Sequence, residues 1–325
     1  MTLLKVENLH ISIATQNGIL QAVRGVDLDI RKGEVLGIVG ESGCGKSLTA
    51  MGLLGLLPKS ARRSADKIEF LERDLTLVGA AELRAIRGNQ IGMIFQDPMT
   101  TLNPSYTIGN QLMEGYLHHR HATRKEAEER AVYLLNRTGI TAARNRLSQY
   151  PHQLSGGLRQ RIVISMALMC EPELIIADEP TTALDVTVQA QILSLIKDIQ
   201  EEMSAGVIII THDLGVIAQM ADRVAVMYAG NVVEAGPTHA IFSAPKHPYT
   251  AGLLSCMPDA SRSGRLGQIP GVVPSLIGDM RGCAFRTRCP HATDPCRDDI
   301  PVHRDPGGHS WRCTIASQPA GATGS

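Results

Sequence analysis

Two clusters of residues in this chain have the types and spacing of phosphate chemistry. Gly40-Glu41-Ser42-Gly43-Cys44-Gly45-Lys46-Ser47 fits the pattern G-x-x-x-x-G-K-S. It follows an apolar run, Val35 to Val39, expected as a strand, and opens a helix expected to start near Lys46. Glycines let the main chain wrap a phosphate so that successive N–H groups face it, and the helix N-terminus adds partial positive charge. Gly40, Ser42, Gly43, Cys44 and Gly45 are expected to line such a cradle. Lys46 has the reach for the β- and γ-phosphates of a bound nucleotide, and the Ser47 hydroxyl suits Mg²⁺. A chance glycine-rich turn would lack the strand before it and the helix after it. The second cluster is Leu174-Ile175-Ile176-Ala177-Asp178-Glu179, an apolar strand ending in two acids, where α/β folds hold ligands. Asp178 is expected to hold Mg²⁺ through water, and Glu179 to orient and deprotonate an attacking water. Two solvated acids in a turn are the plain alternative, and the phosphate loop upstream argues against it.

Thiols form a third group. Cys283, Cys289, Cys296 and Cys313 are spaced C-x5-C-x6-C-x16-C. Four thiolates can hold a [4Fe–4S] cluster or a tetrahedral zinc; structural zinc favours closer pairs, and four unmodified thiols are the third reading. Cys44 sits beside Lys46 and a helix N-terminus, which predicts a lowered thiol pKa and a reactive thiol. His118-His119-Arg120-His121 reads as a solvated helix face, because consecutive residues do not converge on one point. Arg62-Arg63 reads as ordinary surface charge.

The elements that must position these groups are those of a parallel α/β core. Ile91 to Phe95, Leu174 to Ala177 and Val207 to Thr211 read as buried strands beside Val35 to Val39. Helical stretches separate them. Val188, Ile192, Leu195, Ile196, Ile199 and Met203 place one apolar stripe on a helix over 187–203. The first 30 residues read as β, with Asn17-Gly18 as the turn, and 107–170 as mostly helical. From about Pro237 proline, glycine, arginine and cysteine rise and periodicity fades. Lys plus Arg (32) balances Asp plus Glu (32) in 325 residues, which argues against a nucleic-acid partner. No apolar run reaches bilayer length, and the start lacks the parts of a signal peptide, so a membrane role must come through partners.

Leu154-Ser155-Gly156-Gly157-Leu158-Arg159-Gln160 resembles the signature motif of ABC-type ATPases, and the rest of that family's set follows its order. Gln96 stands where the glutamine loop does, Ala183-Leu184-Asp185 resembles the aspartate loop, and Thr211-His212-Asp213 carries a switch histidine. Gln96 to Pro104, Ala244-Pro245-Lys246-His247-Pro248-Tyr249-Thr250 and the cysteine tail are similar to the oligopeptide/dipeptide/nickel importer branch, nearest to the dipeptide-importer ATPase subunit.

The resemblance implies a P-loop NTPase core with an N-terminal antiparallel β subdomain, an inserted helical subdomain and a small irregular cysteine-rich appendage. Residues 1–236 would form the ATPase domain, its helical subdomain at about 97–172. Residues 237–325 would form the accessory region, with the four-cysteine motif at 283–313. It implies head-to-tail closure of two such domains over two ATP molecules, Ser155, Gly156 and Gly157 contacting the γ-phosphate held by the opposite domain. His212 would bond that phosphate, Gln96 would touch Mg²⁺ and the water, and Asp185 would belong to the dimer contact. For the tail, iron–sulfur is the family reading. The implied partners are a second related ATPase subunit, two transmembrane permease subunits and an extracytoplasmic solute-binding protein, placing the chain at the cytoplasmic face of the inner membrane. The cargo would be peptides, or nickel or another small solute; a soluble ABC ATPase of repair or translation is disfavoured by the absence of a fused second half. Two positions depart from the family. Ile11 and Ile13 stand where an aromatic residue usually stacks on adenine, and Leu158 stands where many members carry Gln.

Overall fold

The computed structural model describes residues 1–181, 185–257, 268–278 and 280–315. The described residues divide into two compact units, those within 1–4, 30–35 and 69–210 and those within 5–29, 36–68 and 211–315.

The first unit is built on parallel strands. Ile91–Ile94 pairs with Leu174–Asp178, which pairs with Gly206–Thr211. Every residue of Leu174–Asp178 is buried, as a strand covered on both faces requires. The helical residues lie mainly in Ile108–Arg120, Arg124–Arg137, Gly156–Leu168 and Val186–Met203. Their ends follow from local chemistry. Thr107 accepts from Asn110 N–H, and Thr123 forms a reciprocal capping box with Glu126. Asp185 accepts from Val188 N–H, and Ser204 closes the last helix in the left-handed region. The expected stripe is present in part: Ile192, Leu195, Ile196 and Ile199 are buried, joined by Leu193 and Gln200, while Val188 and Met203 are half-exposed.

The second unit carries the long strands Thr2–Thr15 and Gly18–Arg31, neighbours in one sheet and joined through the expected turn. Val35–Val39, wholly buried, pairs in parallel with Arg223–Tyr228. Arg223–Tyr228 pairs antiparallel with Asn231–Pro237, which in turn receives Ser310–Trp311. The cysteine-rich segment thus adds strands to the sheet that holds the phosphate loop, and Gln21 N–H donates to Leu276 O at 2.8 Å. The compact unit therefore runs through the sequence boundary at 236/237. No helix among the described residues is long and apolar enough to cross a membrane.

Gly92 shows how closely the first unit is packed. A Cβ there would lie 2.5 Å from Ala167 O on the helix Gly156–Leu168. Gly92→Ala must push that helix off the strand, and overpacking of this kind costs about 1–3 kcal/mol. The thermal midpoint of the variant is expected to fall by several degrees; an unchanged midpoint would show that the helix is free to shift.

Candidate functional site

The phosphate loop is shaped by main-chain approaches that leave no room for side chains. A Cβ on Gly40 would lie 2.2 Å from Met227 O, and one on Gly45, at φ +103°, 2.5 Å from Ala22 O. Lys46 is buried, and its ammonium donates to Gly40 O at 2.8 Å and Glu41 O at 3.0 Å. The cation is thereby centred in the loop that it serves. Lys46–Leu54 is helical, with no side chain capping its start, so its N-terminal dipole faces the loop. The donors, the cation and the Ser47 hydroxyl fit a nucleotide triphosphate with Mg²⁺.

Two sequence expectations fail here. Cys44 is buried, and burial pushes its thiol pKa up, outweighing the nearby Lys46 charge that favours the thiolate. Ile11 is fully buried, and a Cβ added at Gly52 would lie 2.6 Å from its Cδ1. It belongs to the core and cannot present a face to adenine, whereas Ile13 is half-exposed.

In the other unit, the strand Leu174–Asp178 delivers its acids as expected. Asp178 is buried and Glu179 half-exposed, with φ 47°. That left-handed backbone costs about 1–2 kcal/mol for a residue with a Cβ, and such conformations gather at functional sites. It is held by Glu179 N–H donating to Ile210 O at 2.8 Å. Gln96 Nε2 donates to Glu179 Oε2 at 2.9 Å. The glutamine and the candidate base are therefore in direct contact. Ser155 is exposed and starts the helix Gly156–Leu168, yet its hydroxyl does not cap that helix. Among the described residues, a Cβ on Gly156 would meet nothing within 4 Å. One contact was not foreseen: buried Gln160 donates from Nε2 to Pro180 O at 2.7 Å, tying the signature helix to the residue after Glu179. Asp185 is exposed and spends a carboxylate oxygen on its own helix cap. Ala183 and Leu184 lie outside the described residues. In the phosphate-loop unit, His212 is exposed, next to Asp213, which caps Leu214–Met220.

The accessory segment is organised around a buried carboxylate. Glu234 accepts from Lys246 N–H at 2.6 Å, His247 N–H at 2.9 Å and His309 Nε2 at 2.7 Å. This gives the Ala244 to Thr250 phrase a structural purpose. Burial pushes the His247 pKa down to about 4, and its Nδ1 accepts from Tyr249 N–H, which fixes a neutral ring protonated on Nε2. Cys283 Sγ lies 4.0 Å from that Nε2. Burial raises the Cys283 pKa to about 11, reinforced by the charges of Cys296, Cys313 and Cys289. At Cys296 burial acts upward, but hydrogen bonds from Thr293 and Thr314 outweigh it and the net shift is down. Four thiols have the donor chemistry of an iron–sulfur or zinc site. Their placement does not match it: among the described residues no group of three or more His, Cys, Asp or Glu could hold a metal ion.

Comparison with known proteins defines the class first. The solved "Dimeric structure of a post-hydrolysis state of the ATP-binding cassette MJ0796 bound to ADP and Pi" matches with TM-score 0.66 and 27% identity, over 73% of this chain and 99% of that one. The structure of cbiO1 from Clostridium perfringens, part of the cbiONQ ABC transporter complex, matches with TM-score 0.62 and 30% identity, over 75% and 91%. The fold is the ABC ATPase cassette, a P-loop NTPase. Residues 23–182 match the family described as ABC transporter, and residues 233–296 the oligopeptide/dipeptide transporter C-terminal region. The dipeptide transport ATP-binding protein DppD of Bacillus subtilis is 51% identical over 98% of this chain and 96% of its own length. DppD of Escherichia coli is 47% identical over 93% of each. This chain belongs to the ABC transporter ATPase family, in the branch that carries the oligopeptide/dipeptide C-terminal region.

The raised Cys44 pKa has a direct readout. Peptide-resolved mass spectrometry after N-ethylmaleimide treatment of the native protein at neutral pH is expected to leave Cys44 unlabelled while Cys256 reacts. Labelling should appear only as pH rises well above the ordinary thiol range or the protein unfolds. Equal rates at the two cysteines near neutrality would contradict the burial argument.

Proposed function

We propose that this chain powers an importer of dipeptides or oligopeptides. The observation that carries the reading is the joining of a complete, ordered ABC motif set to a C-terminal region of the oligopeptide/dipeptide type, both along one chain. Full-length similarity to dipeptide transport ATP-binding proteins supports the cargo class. The chain would sit at the cytoplasmic face of the membrane. It would pair with a second ATPase subunit and work with two permease subunits and an extracytoplasmic binding protein.

The residues divide the chemistry. Lys46 and the loop N–H groups bind the β- and γ-phosphates of ATP, and Ser47, Asp178 and Gln96 serve Mg²⁺. Glu179 takes the proton of the attacking water, with Gln96 holding its carboxylate, and His212 bonds the γ-phosphate. Ser155 and the N–H groups of Gly156 and Gly157 act on ATP held by the partner ATPase. The uncommitted cap position of Ser155 and the open space around Gly156 support that role, because packing within this chain demands neither. Asp185 joins the same contact, and Ile13 offers an aliphatic surface to the base. For the four tail cysteines the family reading is a [4Fe–4S] cluster, with zinc as the other candidate, and holding either would require the thiols to draw together.

Glu179→Gln is expected to keep ATP binding and to lose about 10²–10⁴-fold in hydrolysis, measured on the subunit assembled with its membrane partners and binding protein. Near-normal turnover would remove Glu179 from the role of base. In the same assembly, peptides should stimulate the wild-type ATPase; stimulation by Ni²⁺ and not by peptides would leave the motor in place and change its cargo. For the tail, iron and acid-labile sulfide in anaerobically purified protein would support the cluster, zinc alone would support the other candidate, and neither would remove both.

A further inference from the structure

The phosphate loop carries a carboxylate of its own. Glu41 is the second residue of the loop, and its carbonyl accepts from Lys46 Nζ at 3.0 Å. A negative side chain here opposes the binding of a polyanion, and ordinary solvation does not remove the problem, because the Glu41 side chain is only 26% exposed. The accessory segment meets that charge. Arg288 Nη1 lies 3.1 Å from Glu41 Oε1 and 2.9 Å from Oε2. The Arg288 side chain is 5% exposed, and its other two nitrogens are also engaged. Nε donates to Pro270 O at 3.0 Å and Nη2 to Ile269 O at 3.2 Å, while the group lies 5.7 Å from the Tyr228 ring centroid and 5.9 Å from that of Phe285. Tyr249 takes hold of the same residue through the main chain: Glu41 N–H donates to its hydroxyl oxygen at 3.0 Å.

We propose that Arg288 is a positioning residue of the nucleotide site, supplied by the accessory segment, which neutralises Glu41 and holds its carboxylate away from the bound phosphates, while Tyr249 fixes the main chain beneath it. A surface ion pair would contribute little. This one is different in kind, because loss of the cation strands a carboxylate at the rim of an anion site, and the penalty falls on nucleotide affinity as well as on stability. The inference extends to the position of Arg288 in the chain. It lies between Cys283 and Cys289, just after the turn Ala284–Thr287, so the thiol-bearing segment and the phosphate loop are mechanically joined through it.

The test is equilibrium binding of MgATP and MgADP to the purified full-length chain, with thermal midpoints measured alongside. Arg288→Gln is expected to weaken MgATP binding by about tenfold and MgADP binding by less, and added salt should shrink the difference from wild type. Glu41→Gln should bind MgATP about threefold or more tightly than wild type, since it removes the opposing charge and leaves the cation. The double variant Glu41→Gln/Arg288→Gln should return to within about threefold of wild type. A double variant as weak as Arg288→Gln would reduce Arg288 to a packing role and overturn the proposal. So would a Glu41→Gln protein that binds MgATP no better than wild type. That second measurement decides the matter even if Arg288→Gln does not fold.

Discussion

Keeping an ammonium buried where a polyanion must bind is the constraint around which the phosphate-loop unit is built. An unpaired buried cation would cost several kcal/mol, so Lys46 is given the carbonyls of Gly40 and Glu41. Those carbonyls reach inward only because the loop folds back tightly, and that turn requires glycines where Met227 O and Ala22 O crowd it. The crowding atoms belong to the strands Arg223–Tyr228 and Gly18–Arg31, so the position of the cation is fixed by one strand just upstream of the loop and one far downstream. The same loop bears Glu41, and the demand for charge balance recruits Arg288 from near the end of the described chain.

The other unit answers a different demand, that of aiming a carboxylate. Glu179 is turned by a left-handed backbone, held by Ile210 O and touched by Gln96. Gln160 then ties the signature helix to the next residue. A shift of that helix is therefore felt one peptide away from the candidate base, and the close approach of Gly92 to Ala167 keeps the helix from drifting.

What could be read from the sequence was local. The glycine spacing of the phosphate loop, the apolar run ending in Asp178 and Glu179, and the signature at Ser155 each occupy a few consecutive residues whose chemistry is written in their order. The strands and the helix over 187–203 were legible because period and caps are local too. Cys44 was misread because sequence proximity shows the Lys46 charge and hides the burial that outweighs it. Ile11 was misread because alternation along a strand does not say which face meets the helix at Gly52. The contacts of Glu234 with His309, Gln160 with Pro180 and Arg288 with Glu41 left no trace in spacing, since each joins residues with nothing between them but the fold.

The distance between Glu41 and Arg288 along the chain has a consequence in time. At the roughly 5–20 residues per second of protein synthesis, Glu41 is joined to the chain about 12–50 seconds before its counter-charge exists. Throughout that interval the nascent chain carries its glycine loop with the carboxylate uncompensated, and without the strand Arg223–Tyr228 for most of it. The nucleotide site is thus closed by residues made late, so a ribosome that stops short of the accessory segment leaves behind a chain with its anion site still carrying the wrong charge.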